Sequence, residues 1–326
     1  MKNRLTYKIT TLALFVMFTV AACNPYKNLT KISAMDQIQY AYTVHYADLP
    51  SGIRMAYMDE GKGAETLVMI HGLGSYSQAW KKNISELSKK YRVIAIDLPG
   101  YGKSSKAPHS GMMTFYAGVV SEFIQQLKLG PVNLAGHSMG GQISMVLALA
   151  KPELVKRLIL VDPAGFEAFH AGQKSWFKEV MTPNLVRLTS LEAIETNLAS
   201  NFYRLPKDAH FMIEDRIAWR DASDFEAYCL AVSRSVAGMV DEPVLDKLDK
   251  LKQPTLIFFG EDDLLIPNRY LNPGFTKKIA EQGAAKIKNS KLIMVPKCGH
   301  FMMFEKAEVF NTETVNFPIS SEPFIR

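Results

Sequence analysis

A chain of 326 residues that is 48% hydrophobic and 21% charged has an ordinary globular composition, with enough apolar residues for one large core or two modest ones. Its formal net charge is +6, but Lys2, Arg4 and Lys8 supply three of those charges within residues 1–22, where no acid stands, leaving +3 for the rest. The remaining Lys and Arg are scattered rather than striped, which argues against a nucleic-acid footprint and for a solvated, mildly basic surface.

The N-terminal basic residues precede an apolar run of 14 residues, Ile9–Ala22. That length suits the core of a signal peptide and is too short to span a bilayer. The run ends in V-A-A-C, Val20–Cys23, which resembles the cleavage box of bacterial lipoprotein signals, where the cysteine becomes the lipid-modified first residue. Residues 1–22 are expected to be a lipoprotein signal peptide, Cys23 the lipidation site, and residues 23–39 a tether, polar and unpatterned over most of its length. The implied location is the bacterial cell envelope, with Asn24 compatible with export onward to an outer membrane. An ordinary secretory signal with a chance cysteine is the alternative.

Downstream, Tyr40–Tyr46 and Ile53–Met58 are separated by A-D-L-P-S-G and read as an antiparallel hairpin at a sheet edge. Short apolar runs follow at Leu67–Ile70, Val93–Ile96, Val132–Ala135, Leu158–Val161, Thr255–Phe259 and Leu292–Val295, each bounded by Gly, Pro, Asp or His. Such runs, lacking polar alternation, are what parallel strands covered on both faces look like. Ser75–Lys90 and Thr114–Leu127 are long enough for crossover helices, so the organisation is strand–helix–strand repeated. The 91 residues from Ala164 to Pro254 far exceed the roughly 10–12 that a crossover needs. Apolar residues at helical spacing in Gln173–Met181, Leu191–Asn201 and Asp224–Val236 predict a helical cap over 164–254, inserted between two parts of a core, 40–163 and 255–326. The expected class is α/β: a mostly parallel sheet of eight-stranded type, helices on both faces, and that cap.

Between the Val132–Ala135 strand and a helix at Gln142–Ala150 stands G-H-S-M-G, Gly136 to Gly140. A serine in so tight a turn is strained, and its hydroxyl is lifted above the carboxyl edge of the sheet, where α/β ligand sites form. The flanking glycines are needed because strand and helix nearly touch there and a Cβ would collide. A serine hydroxyl needs a base to become a nucleophile. Of the seven histidines (His45, His71, His109, His137, His170, His210 and His300), His300 in K-C-G-H-F follows the last strand and returns to the edge that carries Ser138. His137 reads as a packing residue. His71, opening H-G-L-G, reads as a hydrogen-bonding brace for its loop, and the backbone N–H groups of Leu73 and Met139 are candidates for an oxyanion hole.

The order Ser138, Asp263, His300, with H-G-L-G, D-L-P-G-Y-G-K-S-S at Asp97–Ser105 and G-E-D-D-L-L-I-P at Gly260–Pro267, resembles the serine hydrolases of the α/β-hydrolase superfamily over about Tyr40–Phe317. The resemblance implies the α/β-hydrolase fold and cleavage of an ester, lactone, thioester, amide or carbon–carbon bond by a Ser-His-Asp triad, without metal or organic cofactor. It places the acid at Asp263, four residues before Pro267, ahead of neighbouring Asp262 and of Asp162 at the preceding strand end. Epoxide hydrolases and haloalkane dehalogenases of this fold carry Asp where Ser138 stands. The carbon–carbon bond hydrolases usually have Asn in place of His137, and the proline iminopeptidases have Gly there and Trp in place of Met139. G-H-S-M-G-G looks instead like the esterases and monoglyceride-type lipases. The expected activity is hydrolysis of a small-molecule carboxylic ester with an apolar acyl group, through an acyl-enzyme. A carbon–carbon bond hydrolase, a cofactor-free haloperoxidase or perhydrolase, and a non-catalytic binding protein on this scaffold are the alternatives. Ten aromatic residues from Phe166 to Tyr228 either line an acyl pocket or hold the cap to the core. Cys229 and Cys298 are expected to be unpaired thiols.

Overall fold

The computed structural model describes residues 26–317. Eight strands, β1 (Val44–Asp48), β2 (Arg54–Glu60), β3 (Thr66–Ile70), β4 (Arg92–Ile96), β5 (Val132–His137), β6 (Val155–Val161), β7 (Thr255–Gly260) and β8 (Ser290–Val295), form one sheet in the order β1-β2-β4-β3-β5-β6-β7-β8. The β1–β2 and β2–β4 pairs are antiparallel and the other neighbours parallel, which is the mostly parallel sheet that the apolar runs predict. Every residue of β5 and of β7 is buried, because helices cover both faces. The chain steps outward from β3 to β4 and then returns past β3 to β5. The carboxyl ends of β3 and β5 therefore adjoin where the strand order reverses, and open α/β sheets bind ligands in that crevice.

Three helices, α1 (Lys81–Leu87), α2 (Met113–Gln126) and α3 (Met139–Ala150), alternate with the first strands. Between β6 and β7 the chain forms α4 (Ala171–Val180), α5 (Pro183–Leu188), α6 (Leu191–Ala199), α7 (Phe211–Ala218) and α8 (Phe225–Asp241); α9 (Thr276–Lys286), α10 (Met302–Glu305) and α11 (Ala307–Asn316) follow. Three of the five inserted helices, α4, α5 and α6, start on side-chain caps. The His170, Thr182 and Ser190 side chains accept the N–H of Gln173, Leu185 and Ala193, and Pro183 opens α5, each satisfying an amide that the first turn leaves unpaired. α4 and α5 pack on α8, and α6 on α7.

The sheet edge and the N-terminal segment depart from expectation. β1 starts four residues later than the expected Tyr40–Tyr46 and ends two later: Ala47 and Asp48, read as turn, pair with Met55 and Arg54, and the reversal is closed by Gly52 N–H to Leu49 O at 2.8 Å. Tyr40 is outside the strand, its hydroxyl donating to Asp97 Oδ2 at 2.7 Å. The expected tether, 23–39, is shorter than predicted. Ile32, Met35 and Ile38, three residues apart, are buried in the core; Ser223 N–H donates to Ser33 O at 2.9 Å and Met35 N–H to Asp224 Oδ1 at 3.0 Å. The folded unit thus begins at Lys31. The expected signal peptide, 1–22, and Cys23 lie outside the described residues. Among those described, no helix is long and apolar enough to cross a membrane. Cys229 and Cys298 are both free and buried.

Candidate active site

β5 ends at His137 and α3 starts at Met139, so Ser138 alone makes the turn, with φ 52° and ψ −117°. A non-glycine residue held there costs about 1–3 kcal/mol, and its surroundings enforce it. Ser138 N–H donates to Val161 O at 2.9 Å, and its carbonyl accepts the N–H groups of Gly141, Gln142 and Ala164. A Cβ on Gly136 would strike the Gly140 carbonyl, and one on Gly140 the carbonyls of Ile70 and His71. Helix, strand and the β3 exit meet here at backbone contact, which only glycine permits.

The residues from the two other loops converge on the same place. His300 Nδ1 lies 2.8 Å from Asp263 Oδ2, and the other carboxylate oxygen accepts Leu265 N–H at 2.7 Å and Ile266 N–H at 3.3 Å. A carboxylate can only accept, so Nδ1 carries the proton and Nε2 is the ring nitrogen able to take another. Ser138, His300 and Leu73 line one cavity of about 300 Å³. Met139 is buried, and its N–H is the first of α3, one of the amides for which a helix has no internal acceptor. Asp262 is exposed; it lies in a tight turn closed by Asp263 N–H to Gly260 O at 3.2 Å, not on the extended exit along which alternation separates neighbouring side chains.

Asp162 is a second buried acid beside Asp263. It has φ 42°, and its Oδ1 accepts Gly260 N–H at 2.8 Å. Asp162, Asp263 and His300 offer ligand atoms within 4.8 Å of one another, which among the described residues is the one group with metal-ligand spacing. Two of the three are already bonded to each other as an acid–imidazole pair. Burial, and then the charge of Asp263, push the Asp162 carboxyl well above the usual carboxylate range.

His137 does more than pack. Its Nε2 is 2.9 Å from the His300 carbonyl, so Nε2 is the donor, and the two rings lie 4.8 Å apart. Burial, and then the neighbouring His300, hold His137 well below the usual histidine range and so neutral. Adjacency to Ser138 in sequence gives no sign of this contact across 163 positions. His71 braces its loop as expected. Its Nδ1–H donates to Gly72 O at 2.8 Å and its Nε2 accepts Leu98 N–H at 3.0 Å, the neutral form that burial favours.

Of the ten aromatic residues, Phe169 and Phe177 line the cavity. Most of the others serve packing: Phe166 lies on Phe259, Phe202 on Phe301, and Trp219 between Tyr76 and Tyr228, while Trp176 and Tyr203 are exposed. The apolar wall is instead largely aliphatic, from Met181, Val236, Met239, Val240, Leu265 and Ile266. The signal for part of it is the helical spacing of Val236, Met239 and Val240 on α8. Gln142, Glu167, Asn197, Asn201 and Asn268 add polar groups, and no Lys or Arg is among the lining residues. Glu167 accepts Asn268 N–H at 3.0 Å and Asn272 Nδ2 at 2.7 Å, and burial raises its carboxyl.

A family model of the alpha/beta hydrolase fold matches residues 65–307. The chain belongs to the alpha/beta hydrolase family. This alpha/beta hydrolase is 30% identical over 287 residues to a 2-hydroxy-6-oxononadienedioate/2-hydroxy-6-oxononatrienedioate hydrolase of Escherichia coli O81 (strain ED1a), covering 81% of this chain and 91% of that one. Among solved structures it is similar to a probable hydrolytic enzyme from Pseudomonas aeruginosa PAO1, with a TM-score of 0.78 and 25% identity over 89% of this chain and 99% of that one. It is also similar to an esterase from Exiguobacterium antarcticum, with a TM-score of 0.71 and 25% identity over 84% and 99% of the two chains. The Escherichia coli hydrolase and the Exiguobacterium antarcticum esterase are named for different reactions, so membership of the family leaves the bond that is cleaved to be argued from the site.

Proposed function

We propose that this alpha/beta hydrolase cleaves carboxylic esters of uncharged, apolar acyl groups, with Ser138 as nucleophile, His300 as base and Asp263 as the acid that orients it. The observation that carries this reading is the 2.8 Å pairing of His300 with Asp263 on a mostly apolar cavity that Ser138 also lines. Ser138 Oγ attacks the substrate carbonyl carbon while its proton passes to His300 Nε2. The N–H groups of Leu73 and Met139 receive the negative oxygen, and collapse expels the alcohol, which takes the proton back from His300. Water activated by the same imidazole then releases the acid and restores the serine. Asp263 fixes the imidazole tautomer and favours its charged form.

The dioates named for the Escherichia coli relative carry two carboxylates. The cavity here offers such a substrate no Lys or Arg, and one buried acid, Glu167. Nitrophenyl esters from acetate to palmitate test the reading, with half-acid esters of equal length beside them. Neutral acyl chains are expected to exceed the half-acids in kcat/KM by about tenfold or more, since tenfold needs only ~1.4 kcal/mol and an unpaired charge in an apolar site costs more. Equal turnover of the half-acids, or peroxide-dependent bromination exceeding ester hydrolysis, contradicts the reading. Saturable ligand binding without hydrolysis of any ester favours the binding-protein alternative.

We also propose that Cys23 is acylated after removal of residues 1–22 and holds the chain at a bacterial membrane. The support is the apolar run ending in V-A-A-C. A multiply acylated chain is held far more firmly than one carrying a single acyl group. Protein expressed in a bacterial host is therefore expected to sediment with membranes through a high-salt wash and to take up an alkyne fatty acid, with Cys23→Ser unlabelled. Release by salt, or an unlabelled wild type, contradicts it.

A further inference from the structure

The loop that carries Leu73 is gripped by the inserted helices. Arg216 Nη2, from α7, donates to Gly74 O at 2.5 Å, and Tyr228 OH, from α8, donates to the same oxygen at 3.1 Å. Next to Arg216, Asp215 accepts the hydroxyl of Tyr76, two residues beyond Gly74. Gly74 has φ 65°, and a Cβ there would stand 2.8 Å from the Arg216 guanidinium, so glycine is what lets that group reach the carbonyl.

Two planar peptides connect this grip to the Leu73 amide. In the Gly74–Ser75 peptide, the oxygen is taken by Arg216 and Tyr228, and the N–H donates to Gly72 O at 3.3 Å. In the Gly72–Leu73 peptide, the oxygen accepts that N–H and His71 Nδ1–H at 2.8 Å. A trans peptide points its N–H opposite to its C=O. Fixing the Gly74 carbonyl therefore helps to fix the Gly72 carbonyl, and with it the direction of Leu73 N–H, at a residue lining the cavity.

We propose that Arg216 is a positioning residue: by holding the Gly74 carbonyl it aims the Leu73 N–H at the developing oxyanion, so the oxyanion site is complete only with α7 and α8 seated on the loop. The inference rests on the ester-hydrolase reading and adds to it a control point outside the cavity wall. Tyr228 supports the same carbonyl with a neutral donor, and the charged donor contributes more.

The test compares Arg216→Met, Arg216→Lys and Tyr228→Phe in the full chain, using nitrophenyl butyrate and an alkyl trifluoromethyl ketone. The ketone is attacked by Ser138 Oγ, whose proton passes to His300, giving a hemiketal oxyanion that occupies the site. Arg216→Met is expected to lower kcat about 10–100-fold with KM within about twofold, and to weaken the ketone by a similar factor. Arg216→Lys should recover most of the loss, and Tyr228→Phe should lose roughly three- to tenfold. If Arg216→Met does not fold, the Lys and Phe variants carry the decision, since each alters the donors while retaining most of the side chain. Wild-type turnover with unchanged kcat and ketone affinity in the variants overturns this inference alone, as does a loss confined to KM. A wild type that neither hydrolyses the ester nor binds the ketone overturns the ester-hydrolase reading, and this inference with it.

Discussion

Ser138→Ala is expected to lower kcat on the order of 10⁴–10⁶-fold, because nucleophile, base and acid act as a unit and only the oxyanion and binding contributions survive its loss. The fold should be unaffected. Ser138 starts α3 but its side chain makes no capping hydrogen bond, so alanine forfeits no helix stabilisation of the usual N-cap kind. The strained turn is enforced by the Val161 carbonyl and the glycine contacts, which the substitution leaves in place. Steady-state rates with nitrophenyl butyrate, beside a thermal melt, check both halves. A folded variant keeping a tenth of wild-type kcat contradicts the proposed mechanism.

Asp263→Asn is expected to cost about 10³–10⁴-fold in kcat with KM little changed, as the amide favours the wrong imidazole tautomer. That is roughly 4–5.5 kcal/mol of transition-state stabilisation. Two neighbouring acids serve as controls. Asp262 is exposed, and its replacement by Asn should cost tenfold or less, because an exposed carboxylate outside the hydrogen-bonded pair exerts a weak, screened field. Asp162 is buried beside Asp263, and its raised pKa favours the neutral acid, which asparagine imitates in shape and charge. Its loss should therefore also stay near tenfold. Measured kcat for the three variants decides. If Asp162→Asn silences a folded enzyme while Asp263→Asn does not, the acid is misassigned.

The parts of this fold that are legible in sequence are those fixed by local sterics or by burial on both faces. β3 to β7 announce themselves by their apolar runs, since a strand covered by helices on both faces has no solvent side to mark with polar residues, whereas the edge strand β8, with one of its six residues buried, is legible only from Leu292–Val295. The turn at Ser138 is legible because its glycines answer to contacts within a few residues. The edge strand β1 is not. Tyr40–Tyr46 carries as good a strand pattern as Val44–Asp48, and pairing with Arg54–Met58 decides the register. Ile32, Met35 and Ile38 look like stray apolar residues in a polar tether until the rest of the fold supplies something to bury them. α5 and α7 have six and eight residues, too short for a periodicity to stand out, although Thr182–Pro183 is a readable start signal for the first.

The site divides in the same way. Motif order along the chain singles out Asp263 and His300, and the structure brings them into contact. The hydrogen bond from His137 to the His300 carbonyl and the aliphatic wall supplied by α8 depend on how the inserted helices and the last loop settle on the sheet, which pairs residues roughly a hundred or more positions apart. Local pattern carries no record of such pairings. Arg216 belongs to this group as well, since nothing in E-D-R-I-A-W indicates that its guanidinium ends on the Gly74 carbonyl.

The most direct test of the central claim is to treat the protein with a fluorophosphonate, follow loss of nitrophenyl butyrate hydrolysis, and map the adduct by peptide mass spectrometry. The expected result is one phosphonyl group per chain, on Ser138, with labelling and loss of activity proceeding at the same rate and neither occurring in Ser138→Ala. An active wild type that stays unlabelled, or an enzyme that keeps its esterase activity once Ser138 is fully modified, would contradict it.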